Sequence, residues 1–439
     1  MTAEIAIINK AAAVLAADSA VTITVGGSEK IYNTVNKIFD LKMGCPLGIM
    51  IYGSLDFMGI PFETLIKTYR KERSEQSFST VREAFEDFLA YLTNYEFEDR
   101  DELLNVSSIL HANFREIHEG FYQELLKSMS NKTNAFTTQV NKVLTDFASK
   151  RLKYYKKQKR CSEFSLADEQ SSVTKYAVLH DEVISNTFRG LKLFSKTADL
   201  LRELSGVFLT RLPMSPRRSG IVIVGFGSSQ LFPALHAVEI DGIVLGKLRY
   251  SYQEDLVIER MGDVRAGIIP FAQKEMVERF LKGVDPDFEK YSFSQFGSLL
   301  EAVGRKLIQD NFSGVDAEKQ KLIQNFEIFS HEALRELREK TDEYKERAFR
   351  QKVLDMVLFM PKQELANMAE SLINLTSLKR RVSAERETVG GPVDVAVISK
   401  DEGFVWIKRK HYFSPELNPR YIAKLRNGIG DRANGIEQQ

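Results

Sequence analysis

The sequence predicts an α+β fold, a sheet-rich body interrupted by two long helical insertions. Three observations carry this expectation. Short β-forming runs separated by polar or glycine breaks fill the first 60 residues. A charged stretch from about Arg70 to Ser205 contains no proline and repeats its apolar residues at helical intervals. Strand patterns then return between Gly220 and Leu248, and again between Val393 and Lys408.

The elements follow in chain order. Ile5, Ile7, Val14, Leu15, Ile23 and Val25 lie in short β-forming runs, and Gly26-Gly27-Ser28 marks a turn. Ile49-Met50-Ile51-Tyr52 reads as an apolar strand ending at Gly53. From Phe62, the spacing of Leu65, Ile66 and Tyr69 predicts a helix. Phe85, Phe88, Leu89 and Leu92 make one amphipathic stripe, and Phe121, Leu125 and Leu126 another. Leu212 to Arg218, with two prolines, predicts an exit linker. Gly220 to Gly227 has the pattern of a buried strand. Leu231 to Ile240 and Ile243 to Leu248 are expected as strands with Asp241-Gly242 as the hairpin turn between them. Phe271 to Leu281 is expected as a helix, Asp285 to Met356 as a second charged helical segment, and Pro361 to Leu378 as an amphipathic helix. Gly390-Gly391-Pro392 then leads into strands at Val393–Ser399 and Phe404–Lys408.

A chain of 439 residues is long for one domain. The expected boundaries are a core in three parts (1–69, 217–284 and 357–415), insertions at 70–216 and 285–356, and a tail at 416–439.

The N-terminus carries the chemistry. Thr2 follows Met1, Asp18 lies in Ala16-Ala17-Asp18-Ser19, and Lys37 in Thr34-Val35-Asn36-Lys37-Ile38. A threonine hydroxyl is a weak nucleophile, and a free α-amine on the same residue would be a base beside it. Removal of Met1 would create that pair; with Met1 in place the Thr2 nitrogen is an amide and cannot act as the base. A lysine paired with an aspartate nearby would favour the alkoxide and keep the amine unprotonated.

These residues resemble the first half of a proteasome β-subunit, within the N-terminal-nucleophile (Ntn) hydrolases. Thr2 to Ile7 is similar to the family's first strand and Val14 to Ser19 to its second, with the Thr2-to-Asp18 spacing ungapped. Asn33 to Ile38 is similar to the lysine segment, and Leu47 to Gly53 to the strand and turn after it. The resemblance covers about half the residues, in three blocks. It implies a four-layer α/β/β/α sandwich and a threonine peptidase cleaving amide bonds through an acyl-enzyme on Thr2. It implies Asp18, Lys37 and Glu387 as further catalytic residues, and an oxyanion held by backbone N–H at Tyr52-Gly53. It places Val21, Val35, Phe39, Met50 and Ser54 around the substrate pocket. It also implies a homo-oligomeric ring, unfolded protein or peptide as substrate, and an ATP-dependent unfoldase as partner. Three positions depart from the family pattern: Tyr52-Gly53 stands for Gly-Gly, Gly267 to Phe271 lacks a serine, and Glu387-Thr388-Val389-Gly390-Gly391 keeps an acid but has Gly390 for a serine. The alternative these departures imply is a catalytically inactive proteasome-like assembly or binding platform.

The bulk properties narrow the rest. With 61 basic and 60 acidic residues, no global attraction to nucleic acid or membrane is expected. Arg151 to Arg160, basic with interleaved tyrosines, reads as a solvated helical face rather than a nucleic-acid contact. Cys45 and Cys161 fit no disulfide or metal framework, and the six histidines have no metal-ligand spacing, so no metal or cofactor is expected. No apolar run approaches the ~18 residues of a membrane span and no signal peptide is legible, which predicts a cytoplasmic protein.

Overall fold

In the computed structural model the described residues are 3–25, 28–42, 44–128, 136–260, 262, 264–383, 390–411, 413–420 and 423. They form an α+β structure with several antiparallel sheets. The N-terminal strands are β1 (Glu4–Asn9), β2 (Ala13–Ala17), β3 (Val21–Val25), β4 (Ser28–Tyr32), β5 (Ile38–Asp40), β6 (Leu47–Gly53), β7 (Asp56–Phe57) and β8 (Ile60–Pro61). Helices α1 (Phe62–Glu72), α2 (Val81–Thr93), α3 (Asp99–Ser128), α4 (Phe136–Lys157), α5 (Leu166–Lys175), α6 (Ala177–Thr187) and α7 (Ser195–Thr210) follow. The chain then returns to strand in β9 (Ser219–Gly225), β10 (Ala234–Val244), β11 (Lys247–Val257) and β12 (Ala266–Ala272). After them come α8 (Glu275–Lys282), α9 (Pro286–Asn311), α10 (Asp316–Lys345), a π-helical turn at Glu346–Arg350, α11 (Gln351–Leu358) and α12 (Lys362–Val382). Strands β13 (Asp394–Ser399) and β14 (Gly403–Lys408) and a 3-10 turn at Pro415–Leu417 complete the described elements.

Two five-stranded sheets dominate, in the orders β12-β1-β2-β13-β14 and β11-β10-β9-β6-β5. Alternation along each strand divides the core. Ala6, Ile8 and Leu15 of the first sheet share a buried cluster with Met50, Val222 and Val224 of the second. Ile5, Ile7, Val14 and Ala16 point the other way, against Leu365, Ala369 and Ile373 of α12. Ile49, Ile51, Ile221 and Ile223 likewise face Phe62 and Ile66 of α1 and Phe85 and Phe88 of α2. A period of two in the strands thus supplies three apolar surfaces from two sheets.

Helices α3 to α7 have a core of their own, built on Phe114, Phe121, Leu144, Leu204 and Phe208, and the body reaches it through Val244. The insertion therefore begins near residue 99. The boundary expected at 70 places α2 in the insertion, yet its Phe85, Phe88 and Leu92 cover the second sheet. An amphipathic stripe has the same spacing whether it covers a sheet or another helix, so the pattern alone could not decide.

Two further expectations are corrected. Asp241-Gly242 is not the hairpin turn: β10 runs through it with a shift in register, Gly242 at φ +90°, and the turn is Leu245-Gly246, both left-handed at φ +55° and +70°. Two consecutive positive φ values are what a type I′ hairpin turn requires. Asp241 is instead held as a buried partner of Arg249 and Ser215. The helix expected from Phe271 begins at Glu275, because Phe271 belongs to strand β12, which pairs with β1.

Candidate active site

The ends of neighbouring strands bring the candidate residues together. Glu4 opens β1, and the ladders align it with Ala17 on one side and Ala272 on the other. Ala17 in turn aligns with Asp394 of β13. Asp18, one residue past β2, therefore emerges at the same edge of the sheet as Glu4 and Asp394.

Lys37 reaches this edge from the other sheet. Its carbonyl accepts from Ile51 N–H at 2.8 Å, and two residues earlier Val35 N–H donates to Ser19 O at 3.2 Å. The lysine segment is thereby tied to both sheets. The Lys37 ammonium lies 2.5 Å from Asp18 Oδ1 and 3.0 Å from Glu4 Oε1, and all three side chains are buried. An ammonium out of water needs such partners.

Asp18 is the hub. Besides Lys37, its Oδ1 accepts from Ala3 N–H at 3.1 Å, and its Oδ2 from Gly390 N–H at 3.0 Å. The Asp18 N–H donates to Ala3 O at 3.0 Å. One carboxylate thus joins the start of β1, the lysine segment and the chain entering β13. Ser19 reinforces that last link, its N–H donating to Gly390 O and its hydroxyl to Pro392 O at 2.5 Å. Gly391 is left-handed at φ +75°, and a side chain there would collide with Asn33.

A second buried pair lies alongside. The Lys410 ammonium contacts Asp394, which also accepts from the Lys410 N–H at 2.9 Å. Burial lowers the Lys410 pKa and the nearby Lys37 charge lowers it further, while Asp394 opposes both.

The other expected site residues divide. Thr2 and Glu387 lie outside the described residues. Tyr52 and Gly53 border a cleft of about 520 Å³ that also touches Arg218, Glu239, Phe271 and Gln273. The Tyr52 ring packs 5.5 Å from Phe271, and Gly220 opposite it in the ladder leaves the space the ring fills. Burial raises the Tyr52 phenol above its ordinary range, helped by Glu239. Gly53 is exposed at φ +77°, with Arg218 O where a side chain would go.

Of the expected pocket residues, Val21 and Val35 are half-buried. Met50 is fully buried between the sheets. Phe39 packs on the opposite face of the second sheet, against the α1–α2 cluster. Ser54 borders a different cleft of about 340 Å³, where its hydroxyl donates to Asp56 at 2.8 Å. Those five residues therefore do not surround one cavity; strand alternation separates Phe39 from Met50.

Sequence reasoning missed Glu4, Asp394 and Lys410. A signal existed for the two acids, since each is a lone charge at the head of an otherwise apolar strand (EIAIIN and DVAVIS). Among the described residues, no group of three metal-ligating side chains could hold an ion, and no helix is long and apolar enough to cross a membrane. No known family model matches this chain, and no curated protein sequence matches it at a significant level.

Proposed function

We propose that this chain is a threonine peptidase of the Ntn-hydrolase, proteasome-like class, with Thr2 as its nucleophile once Met1 is removed. The observation that carries the reading is the Asp18 hub: one buried carboxylate engages Ala3 N–H, the Lys37 ammonium and Gly390 N–H together. Ala3 is thereby fixed by the same carboxylate that holds the Lys37 ammonium. The sharing of core clusters, helix against sheet, sheet against sheet and sheet against helix, supports the four-layer sandwich that this class uses.

On this reading the Thr2 hydroxyl oxygen attacks the substrate amide carbon as its proton passes to the α-amine. A backbone N–H near Gly53 stabilises the oxyanion. Collapse expels the amine product, which takes that proton, and leaves an ester that water hydrolyses. Unfolded polypeptide is the substrate class; ring assembly and delivery by an ATP-dependent unfoldase belong to the same reading.

One observation favours the second reading, a non-catalytic platform of the same build. Lys37 contacts two buried carboxylates, Glu4 as well as Asp18, and the extra negative charge offsets the potential an alkoxide would need.

The intact mass and N-terminal residue of the purified protein separate the two. A chain beginning at Thr2, labelled by a Thr-directed covalent inhibitor and inactivated by Thr2→Ala, supports the peptidase. A chain beginning at Met1, or peptide cleavage unchanged in Thr2→Ala, sinks the Thr2 assignment.

A further inference from the structure

Helix α4 packs one side into the core of the helical insertion and turns the other to solvent. Val140, Leu144, Phe147, Ala148, Leu152 and Tyr155 fill the buried side. The rest of the helix carries charge of nearly one sign, with six basic residues and a single acid, Asp146. A solvated face is what the sequence predicts here; the structure shows a stripe of lysines largely without counter-charges.

Lys142, Lys150, Lys153, Lys156 and Lys157 are all exposed. At roughly 100° per residue they fall within about 120° of the helix circumference, along about 22 Å of its axis. Lys156 contacts Glu203 of α7, and Lys150 lies 4.0 Å from Glu124 of α3. Lys142, Lys153 and Lys157 pair with no carboxylate among the described residues. Tyr154 borders the stripe and is 51% exposed, its ring edge-on to the buried Tyr155 at 5.2 Å. Lys156 and Lys157 occupy the last turn, where the helix dipole itself favours a cation. The other three lie outside it, so the dipole does not account for the stripe.

We propose that this face of α4 binds the phosphodiester backbone of single-stranded nucleic acid, without sequence preference. Charge selects an anion. Lysines are point charges on flexible stems, suited to phosphates whose positions vary along a strand.

Other anionic partners fit less well. Lysine is depleted at protein–protein interfaces, which weighs against an acidic protein. A helix that lies on a membrane offers it an apolar face, and the apolar face of α4 is buried in the core. Tyr154 adds an exposed ring beside the cations, on which a base can stack. The proposal does not depend on the peptidase reading.

Fluorescence anisotropy of a labelled oligo(dT) of ~20 nucleotides with the full chain tests it, with circular dichroism to establish that each variant is folded. Affinity should fall about 50-fold between ~50 and ~200 mM salt, the slope for about four phosphate contacts on a single strand. Lys153→Glu/Lys157→Glu should weaken binding at the lower salt by at least about tenfold and flatten that slope. Lys290→Glu/Lys306→Glu makes the same charge change at exposed positions of α9 and should leave affinity within about twofold. Tyr154→Ala should cost roughly tenfold with the salt slope unchanged. No binding at ~50 mM salt and ~100 μM protein, or affinity untouched by either Lys153→Glu/Lys157→Glu or Tyr154→Ala, would overturn the proposal. So would tighter binding, through the same lysines, to polyglutamate or to vesicles of equal phosphatidylglycerol and phosphatidylcholine, which would give the face to an acidic protein or a membrane.

Discussion

A buried ammonium in contact with two carboxylates is held by more charge than it carries, and Lys37 is in that position between Glu4 and Asp18. Removing the lysine should therefore cost more than removing one acid. Lys37→Met leaves both carboxylates without a counter-charge and should destabilise the fold by about 3–5 kcal/mol, read as a lower denaturation midpoint. Glu4→Gln keeps the Lys37–Asp18 contact and should cost distinctly less. A Lys37→Met protein as stable as wild type at pH 7 would show that the three charges are not mutually dependent. Asp18 and Lys37 were legible because their chain spacing fits a known pattern. Glu4 was not, since which acid a strand edge delivers to a lysine depends on ladder register between distant segments.

Among the elements, α6 carries a conflict within the helical insertion. His180 is fully buried, and neither ring nitrogen has a hydrogen-bond partner. Burial lowers its pKa from 6.5 to about 4. The folded state thus keeps the imidazole neutral, while the unfolded chain binds a proton below about pH 6.5. Stability must fall as pH drops from 6.5 to 4, by roughly 3 kcal/mol over the window. His180→Leu removes the titrating group and two desolvated nitrogens. It should raise the melting temperature at pH 5 more than at pH 7; an equal effect at both would assign the change to packing alone. The element scale also shows what sequence patterning resolves. Strands β1, β2, β6 and β9 and helices α1 and α12 were legible because alternation and helical spacing are local properties. The β10–β11 turn was misplaced because Asp-Gly is a strong turn signal, whereas here the aspartate is consumed by a buried ion pair and the glycine by an irregularity in the ladder. Among the expected pocket residues, Phe39 and Met50 part because the ladder pairs Phe39 with Ile49, whose side chain points to the face opposite Met50.

At the scale of the whole molecule, Arg249 couples the insertion to the sheets. It is fully buried in β11 and pairs with Asp241 of β10. Its guanidinium also donates to Leu209 O and Phe208 O at 2.9 Å and to Arg211 O at 2.7 Å, carbonyls at the C-terminal end of α7. Those groups have no partners within the helix, and a cation there also complements its dipole. Asp241 in turn accepts from the Ser215 N–H and hydroxyl, fixing the chain that leaves the insertion. One side chain therefore stitches a helical unit with its own core to the hairpin beside it, which predicts that both unfold together. Arg249→Met strands a buried carboxylate and four carbonyls, Pro213 O at 3.2 Å being the fourth, and should cost about 3–5 kcal/mol. Calorimetry should then resolve two transitions where the wild type has one. Adding Asp241→Asn removes the stranded charge yet keeps an acceptor for Ser215, so the double variant should regain about half of the loss. If Arg249→Met still unfolds in one transition with a cost below ~1 kcal/mol, the coupling runs through the apolar contact at Val244, and the ion pair is incidental to it.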